Sequence, residues 1–311
     1  MKTIDEMIEA AKRRGRRRIA VAAAHEHSAL EAVHDAWKHG LAEPVLVGDW
    51  PAIEAMAAEL GIDVSGFEHH NESDLSRAAA KAVELVRSGA ADVLMKGVLD
   101  TSILLKAALN KEFGINAGRL TSHVAALEVP SYHKLLFVTD AAINIAPDVP
   151  AKIDIIMNAV SAARSLGIET PKVALLAAVE KVNWDKMPCT VDAAVIVQMN
   201  RRGQIAGCLV DGPLALDNAV SAESARIKKI ESGVAGDADI LVAPDIEAGN
   251  ILYKCLLDLA GARGAGIVMG AAKPIVLTSR ADSAETKLAS IALAALASSS
   301  SPANGSPSTG R

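Results

Sequence analysis

The feature that most restricts the fold is an alternation. Short apolar runs end at polar or glycine-containing junctions, and stretches whose apolar residues recur at helical spacing follow them. RIAVAAA, PVLVGD, DVLMKG, KVALLAA, GAGIVMG and PIVLTS read as buried strands. HEHSALEAVHDAW, PAIEAMAAEL, LSRAAAKAVELVRSG, DTSILLKAALNKE, AKIDIIMNAVSAARSLG and RADSAETKLASIALAALAS read as helices. Such alternation predicts an α/β protein whose strands are mostly parallel. Ser28 and Glu31 match a capping box, which predicts a helix start at the end of the first strand. Ile4, Met7, Ile8 and Ala11 predict an opening amphipathic helix, and the basic run Arg13 to Arg18 reads as its solvated end.

One segment departs from this rhythm. Leu120 to Asn144 lacks a long helical period and predicts two antiparallel strands around Pro130, Ser131 and Tyr132. No internal repeat is present, and the tail SSSSPANGSPSTGR has the composition of a disordered segment.

Composition narrows the function. With 311 residues, 50% of them hydrophobic, the chain has enough apolar material for two cores. A net charge of -5 argues against a nucleic-acid partner. The three cysteines Cys189, Cys208 and Cys255 form no close pair, so neither a disulfide framework nor a zinc site is expected. His25 and His27 have no third ligand nearby in sequence, and no metal is expected there. There is no signal-peptide core, and IALAALA is too short to span a bilayer; the expectation is a soluble cytoplasmic protein without membrane contact.

The candidate chemistry lies where strands give way to loops, because open α/β sheets bind ligands beyond the carboxyl ends of their strands. Lys96, Gly97, Asp100 and Thr101 combine a cation, a glycine turn and a helix start, the parts of an anion site; an ordinary turn with a surface lysine is the alternative. Ser122 and His123 open one strand of the irregular segment, and Asp140 and Asn144 follow the other. His123 also reads as a satisfied structural group. The loop VEKVNWDKMPCT carries Glu180 and Asn183. The run Cys208 to Val210 is expected to stop at Asp211, where Gly212 and Pro213 break the ladder and leave Asp211, Asp217 and Asn218 beyond the strand. Ile240 to Ala243 stops in the same way at Pro244 and Asp245. Finally, Ser279, Arg280 and Asp282 place a hydroxyl, a guanidinium and a carboxylate at a helix start. An arginine at the positive end of a helix is unfavourable unless an anion is bound, which predicts a phosphate-type ligand.

Several of these segments together resemble a known family. KVALLAAVEKVNWDKMPCTVDAA, GCLVDGPLALDNAVS, VAGDADILVAPDIEAGN, PIVLTSRADS, LMKGVLDTSILLKAALNKE, SHV and TDAAINIAPD are similar to the phosphate acetyltransferase and phosphate butyryltransferase family. The resemblance runs from about Ala20 to Ala294. It is closest to the butyryltransferase-like branch, which includes the transferase half of bifunctional enoyl-CoA hydratase/phosphate acetyltransferase proteins, and it implies the transferase alone.

The resemblance implies two α/β domains with a cleft between them, of the isocitrate/isopropylmalate dehydrogenase type, and a homodimer. Residues 1–140 plus 270–297 would form the first domain, 141–269 the second, and 298–311 a tail. The implied reaction exchanges an acetyl or butyryl group between coenzyme A and inorganic phosphate, with acyl-CoA as substrate and no resident cofactor. Arg280 would clamp phosphate or the carbonyl oxygen, and Ser279 would donate to the oxyanion or the leaving sulfur. The acid of the acetyltransferase branch falls near Thr286 here, so Asp282 or Glu285 takes its place. Lys96 and Thr101 would donate to the anion, while Ser122, His123, Asp140, Asn144, Glu180, Asn183, Asp211, Asp217 and Asn218 would line the substrate site. A covalent route through Cys189 is the rival mechanism. A silent CoA-binding or acyl-phosphate-binding protein and a dehydrogenase of related fold are the rival functions.

Overall fold

A computed structural model describes residues 1–278 and 282–298. Ser279, Arg280 and Ala281, and all but the first residue of the expected disordered tail, lie outside the described residues. The chain divides into two compact units. One comprises Ile4–Arg119 with Gly264–Ser299, and the other is built on Leu120–Arg263.

The first unit runs α1 (Ile4–Arg13), β1 (Arg17–Ala22), α2 (His27–Lys38), β2 (Ala42–Gly48), α3 (Trp50–Leu60), β3 (Glu68–Asn71), α4 (Leu75–Arg87), β4 (Val93–Lys96) and α5 (Thr101–Ala108). The inserted unit follows with β5 (Ser122–Glu128), β6 (Leu136–Thr139), α6 (Val149–Ser165), β7 (Lys172–Leu176), α7 (Cys189–Arg201), β8 (Leu209–Leu214), α8 (Leu216–Val220) and α9 (Ala222–Ile227). It ends with β9 (Ile240–Val242), α10 (Ile246–Lys254) and a π-helical turn over Cys255–Leu259. The chain then returns to the first unit as β10 (Arg263–Met269), β11 (Ile275–Val276) and α11 (Ala284–Ala297).

In the first unit the strand order is β3-β2-β1-β4-β11-β10. All neighbours are parallel except β10 and β11. The apolar stretches Ile19–Ala22, Val45–Val47 and Val93–Met95 of β1, β2 and β4 are buried, as central strands covered on both faces require. Helix α11 packs on α1 and α2. The inserted unit orders its strands β5-β6-β9-β7-β8, antiparallel only between β5 and β6. The strand pair expected around Pro130 is therefore present.

Helix starts follow from local chemistry. Asp74, Asp148 and Asp245 each accept the amide of the residue three positions on, at 2.8, 2.9 and 2.8 Å. Each such cap stabilises its helix by about 1 kcal/mol. Ser283 caps α11 through the Thr286 amide at 3.1 Å.

Two sequence expectations are corrected, the capping box and the stop of β8, and one strand carried no signal in the sequence. The capping box Ser28–Glu31 does not form; the cap of α2 is Glu26, whose carboxylate takes the Ala29 amide at 2.7 Å and the Ser28 hydroxyl at 2.6 Å. Strand β3, EHHN, carries no apolar signal because it is the solvent-facing edge of its sheet. Strand β8 does not stop at Asp211 but runs through Gly212 and Pro213 to Leu214. It pairs only with β7, with a register shift between Ala174 and Leu176, and an edge strand tolerates a residue with no amide to donate. The unit boundaries fall at 119/120 and 263/264. Residues 120–140 thus group with the inserted unit, to which β6 is bound through β9.

Candidate active site

In the first unit the candidates Lys96 and Thr101 lie at the carboxyl end of β4 and the start of α5. Lys96 is not the surface lysine of the alternative reading: it is 7% exposed, and its Nζ donates to the carbonyls of Gly97 and Leu99 at 3.1 and 3.2 Å. The turn is held against β1 by Gly97 N–H to Ala22 O at 2.8 Å and Val98 N–H to Ala23 O at 2.9 Å. Only glycine fits there, since a Cβ at Gly97 would lie 2.0 Å from the Ala23 oxygen. Asp100 takes the cap position of α5 with an extended backbone, yet its side chain makes no capping bond to the helix amides. Thr101, exposed, is the first residue of that helix. A buried cation beside an uncapped helix start is a place for an oxyanion.

Asp282 belongs to the same unit and directly precedes Ser283, the cap of α11; Glu285 lies exposed in its first turn. The candidates Ser279 and Arg280 lie outside the described residues.

In the inserted unit the candidates fall into separate groups. Ser122 is fully buried, and its hydroxyl accepts the Asn158 amide at 2.9 Å. His123 is 5% exposed and meets the edge of Tyr253, with ring centroids 5.6 Å apart. Asp140 organises the loop after β6: its carboxylate accepts the amides of Ala142, Ile143 and Asn144 at 2.9, 3.1 and 3.2 Å, and the Asn144 side chain at 2.6 Å. Asn144 also reaches the Thr121 carbonyl at 2.9 Å. These two residues build the loop with each other.

Glu180, Asp217 and Asn218 come together around a lysine that the sequence reading missed. Lys228 Nζ lies 2.8 Å from Glu180 and 3.2 Å from Asp217, and the Asn218 amide also donates to Glu180. The Lys228 hydrogen bond is the main cause that holds the Glu180 carboxyl below its ordinary value, against a smaller effect of burial. Asn218 is fully buried with its Oδ1 unbonded, an acceptor that a water or a ligand donor would satisfy. Asn183 and Asp211 stand apart from this group. Asn183 caps its own turn through the Lys186 amide at 3.1 Å, and Asp211 accepts the Gly212 amide at 2.9 Å within β8.

Between the ends of β7 and β9 and the start of α7 lies a small open recess, lined by Leu175, Ile196, Val242, Pro244, Cys189 and Lys152 among others. Burial raises the Cys189 thiol above its ordinary value, and the Lys152 charge opposes this only in part. Lys152 is itself 5% exposed and paired with Asp192 at 2.6 Å. Neither Lys152, Lys228 nor Lys287, a buried lysine in α11, was singled out from sequence. For Lys152 and Lys287 the available signal was a cation within a largely apolar helix, as in AETKLASIALAALA.

A family model described as phosphate acetyl/butaryl transferase matches residues 2–80 and 72–295. The chain belongs to this family. It is 49% identical over 296 residues to a phosphate butyryltransferase of Clostridium acetobutylicum, with 95% of this chain and 98% of that protein covered. A phosphate acetyltransferase of Thermotoga maritima is 45% identical over 295 residues, with 94% and 99% covered. Among solved structures, a branched-chain phosphotransacylase from Enterococcus faecalis matches with a TM-score of 0.79 at 34% identity, over 91% of this chain and 99% of that one. Membership of the phosphate acetyl/butyryl transferase family thus confirms both the resemblance read from sequence and the α/β fold. Relatives named for butyryl and for acetyl transfer stand at similar identity, so membership leaves the acyl chain open. Among the described residues no helix is long and apolar enough to cross a membrane.

Proposed function

We propose that this chain exchanges a short acyl group between coenzyme A and inorganic phosphate, acyl-CoA plus phosphate giving acyl phosphate plus CoA, by direct attack in a ternary complex. The observation that carries the reading is 49% identity, over nearly the full length of both chains, to a phosphate butyryltransferase. The buried Lys96 beside the Gly97 turn supports it, because that is where an oxyanion gains most from a fixed charge.

In the reaction, a phosphate oxygen forms a bond to the thioester carbonyl carbon, the carbon–sulfur bond breaks, and the sulfur leaves to be protonated as free CoA. Lys96 and Thr101 donate to phosphate, and Arg280 clamps phosphate or the carbonyl oxygen. Ser279 donates to the oxyanion or the leaving sulfur, and Asp282 or Glu285 orients the phosphate and takes its proton. Ser122, His123, Asp140, Asn144, Glu180, Asp217 and Asn218 are the substrate-binding residues that the inserted unit supplies in this reading. Asn183 and Asp211 hold the neighbouring loop and strand. The raised Cys189 thiol disfavours the covalent route, which needs a thiolate. The reading includes no resident cofactor, a homodimer and a cytoplasmic location.

The test follows free thiol from acetyl-, propionyl- and butyryl-CoA with and without phosphate, for wild type and Arg280→Ala. Phosphate-dependent release that collapses in the variant is expected and ranks the acyl chains. If wild type binds CoA by calorimetry but releases no thiol from any of the three, the chain is a silent binder.

A further inference from the structure

Lys287 is 2% exposed, in a helix whose other inward residues include Ala289, Ile291 and Leu293. Its Nζ donates to the Ser28 hydroxyl and lies 3.8 Å from the Glu26 carboxylate. Ser28 in turn donates to Glu26 at 2.6 Å, and the second Glu26 oxygen takes the Ala29 amide at 2.7 Å. Burial alone would raise the Glu26 carboxyl; the Ser28 bond, the Lys287 charge and the helix amide together hold it below its ordinary value.

This arrangement is a poor stability device. A cation in the first turns of a helix opposes the macrodipole, and a buried ion pair stabilises no more than a well-packed apolar pair of similar volume. What the pair supplies is placement. Glu26 caps α2 after β1 and Ser28 lies in its first turn, while the Lys96–Val98 turn after β4 is hydrogen-bonded to Ala22 and Ala23 at the end of β1. Lys287 follows Ser279 and Arg280 in sequence within the first two turns of α11.

Taking the transferase reading as its basis, we infer that Lys287 is a positioning residue for the phosphate side of the reaction. Through Ser28 and Glu26 it fixes the start of α11 to the β1–α2 turn, beside the Lys96 junction, and thereby governs how phosphate is engaged.

The test compares wild type, Lys287→Met, Lys287→Arg, Ser28→Ala and the double variant Lys287→Met/Glu26→Gln. Phosphate and acyl-CoA are varied separately, and rates are corrected for folded fraction by circular dichroism. Lys287→Met is expected to lower kcat/KM for phosphate about 10- to 100-fold with KM for acyl-CoA unchanged, the scale of a small misplacement. Lys287→Arg should recover much of the loss. The double variant, with no charge left unpaired, should regain thermal stability but not the phosphate kinetics. Should Lys287→Met fail to fold, Ser28→Ala, which keeps both charges, is expected to show the same selective loss in weaker form. Wild-type kinetics in the double variant, or equal losses for both substrates, would overturn the inference. Wild type with no phosphate-dependent thiol release instead refutes the transferase reading itself.

Discussion

Gly97→Ala adds a single methyl group where the chain has no room for it. The new Cβ would stand 2.0 Å from the Ala23 oxygen and 2.7 Å from the Ala22 oxygen, both of them backbone atoms that cannot rotate away. A relaxed carbon–oxygen contact needs about 3.3 Å, so the β4 turn must retreat from β1 by roughly 1.3 Å. That movement breaks the bonds of 2.8 and 2.9 Å from Gly97 and Val98 to Ala22 and Ala23. Each buried backbone bond lost costs about 1–3 kcal/mol, so the loss of both sets the expected destabilisation at about 2–6 kcal/mol. Gly61→Ala is the control. Gly61 has a φ of +65° with no atom within 4 Å, so only the left-handed backbone is penalised, by about 1–2 kcal/mol. Urea unfolding of the two variants measures the difference, and initial rates at varied phosphate measure the function. Because Lys96 Nζ rests on the Gly97 and Leu99 carbonyls, KM for phosphate should rise in Gly97→Ala and stay constant in Gly61→Ala. Equal destabilisation of the two variants with an unchanged phosphate KM would refute the packing argument.

Two further outcomes concern the inserted unit. Burial alone would raise the Asp237 carboxyl, but Lys172, Lys134 and His133 hold it far below the usual carboxylate range. Because the folded value is the lower one, the stabilisation is complete above the ordinary value of 3.8 and is lost as pH falls through the folded value. With its side chain 42% exposed, screening limits the effect. Asp237→Asn should therefore cost only about 1 kcal/mol at neutral pH, and urea midpoints at pH 7 and below pH 4 should converge with wild type as the medium is acidified. Lys152→Met strands Asp192, whose side chain is 28% exposed and can rehydrate. Thermal unfolding should show a loss of about 1–2 kcal/mol, below the 3–5 kcal/mol of a fully buried broken pair, and Asp192→Leu in the same chain should restore most of it.

The helices and central strands were legible because one short-range rule governs each of them. Val93–Met95 and Ile240–Val242 are apolar throughout and buried, and Asp74, Asp148 and Asp245 sit where a cap is needed. What escaped depends on partners distant in sequence. Glu68–Asn71 is a strand only because β2 offers it a ladder, and Pro213 is tolerated only because β8 has one neighbour. Glu26 displaces Ser28 as the cap because a longer carboxylate can hold both the hydroxyl and the amide. At the site, residue types such as Lys96, Glu180 and Asn218 were visible, but their bonding was not. Asp140 and Asn144 bind one another, Glu180 and Asp217 share Lys228, a residue 48 positions from Glu180, and Asn218 donates to Glu180. Lys287 went unseen because nothing within its own helix calls for a charge; its reason lies 259 residues away at Ser28.

The order of strands also bears on how the chain is made. Strand β11 lies inside its sheet, beside β4, and α11 covers α1 and α2, yet both are encoded at the end of the chain. On the ribosome, Leu120–Arg263 emerges as one continuous piece and can complete its sheet while the chain is still growing. The earlier-made β1–β4 layer must meanwhile wait with an open strand edge and uncovered apolar helices until β11 and α11 have also been made. Truncations that remove α11 should therefore yield a molecule whose middle is native and whose beginning is the part held by chaperones.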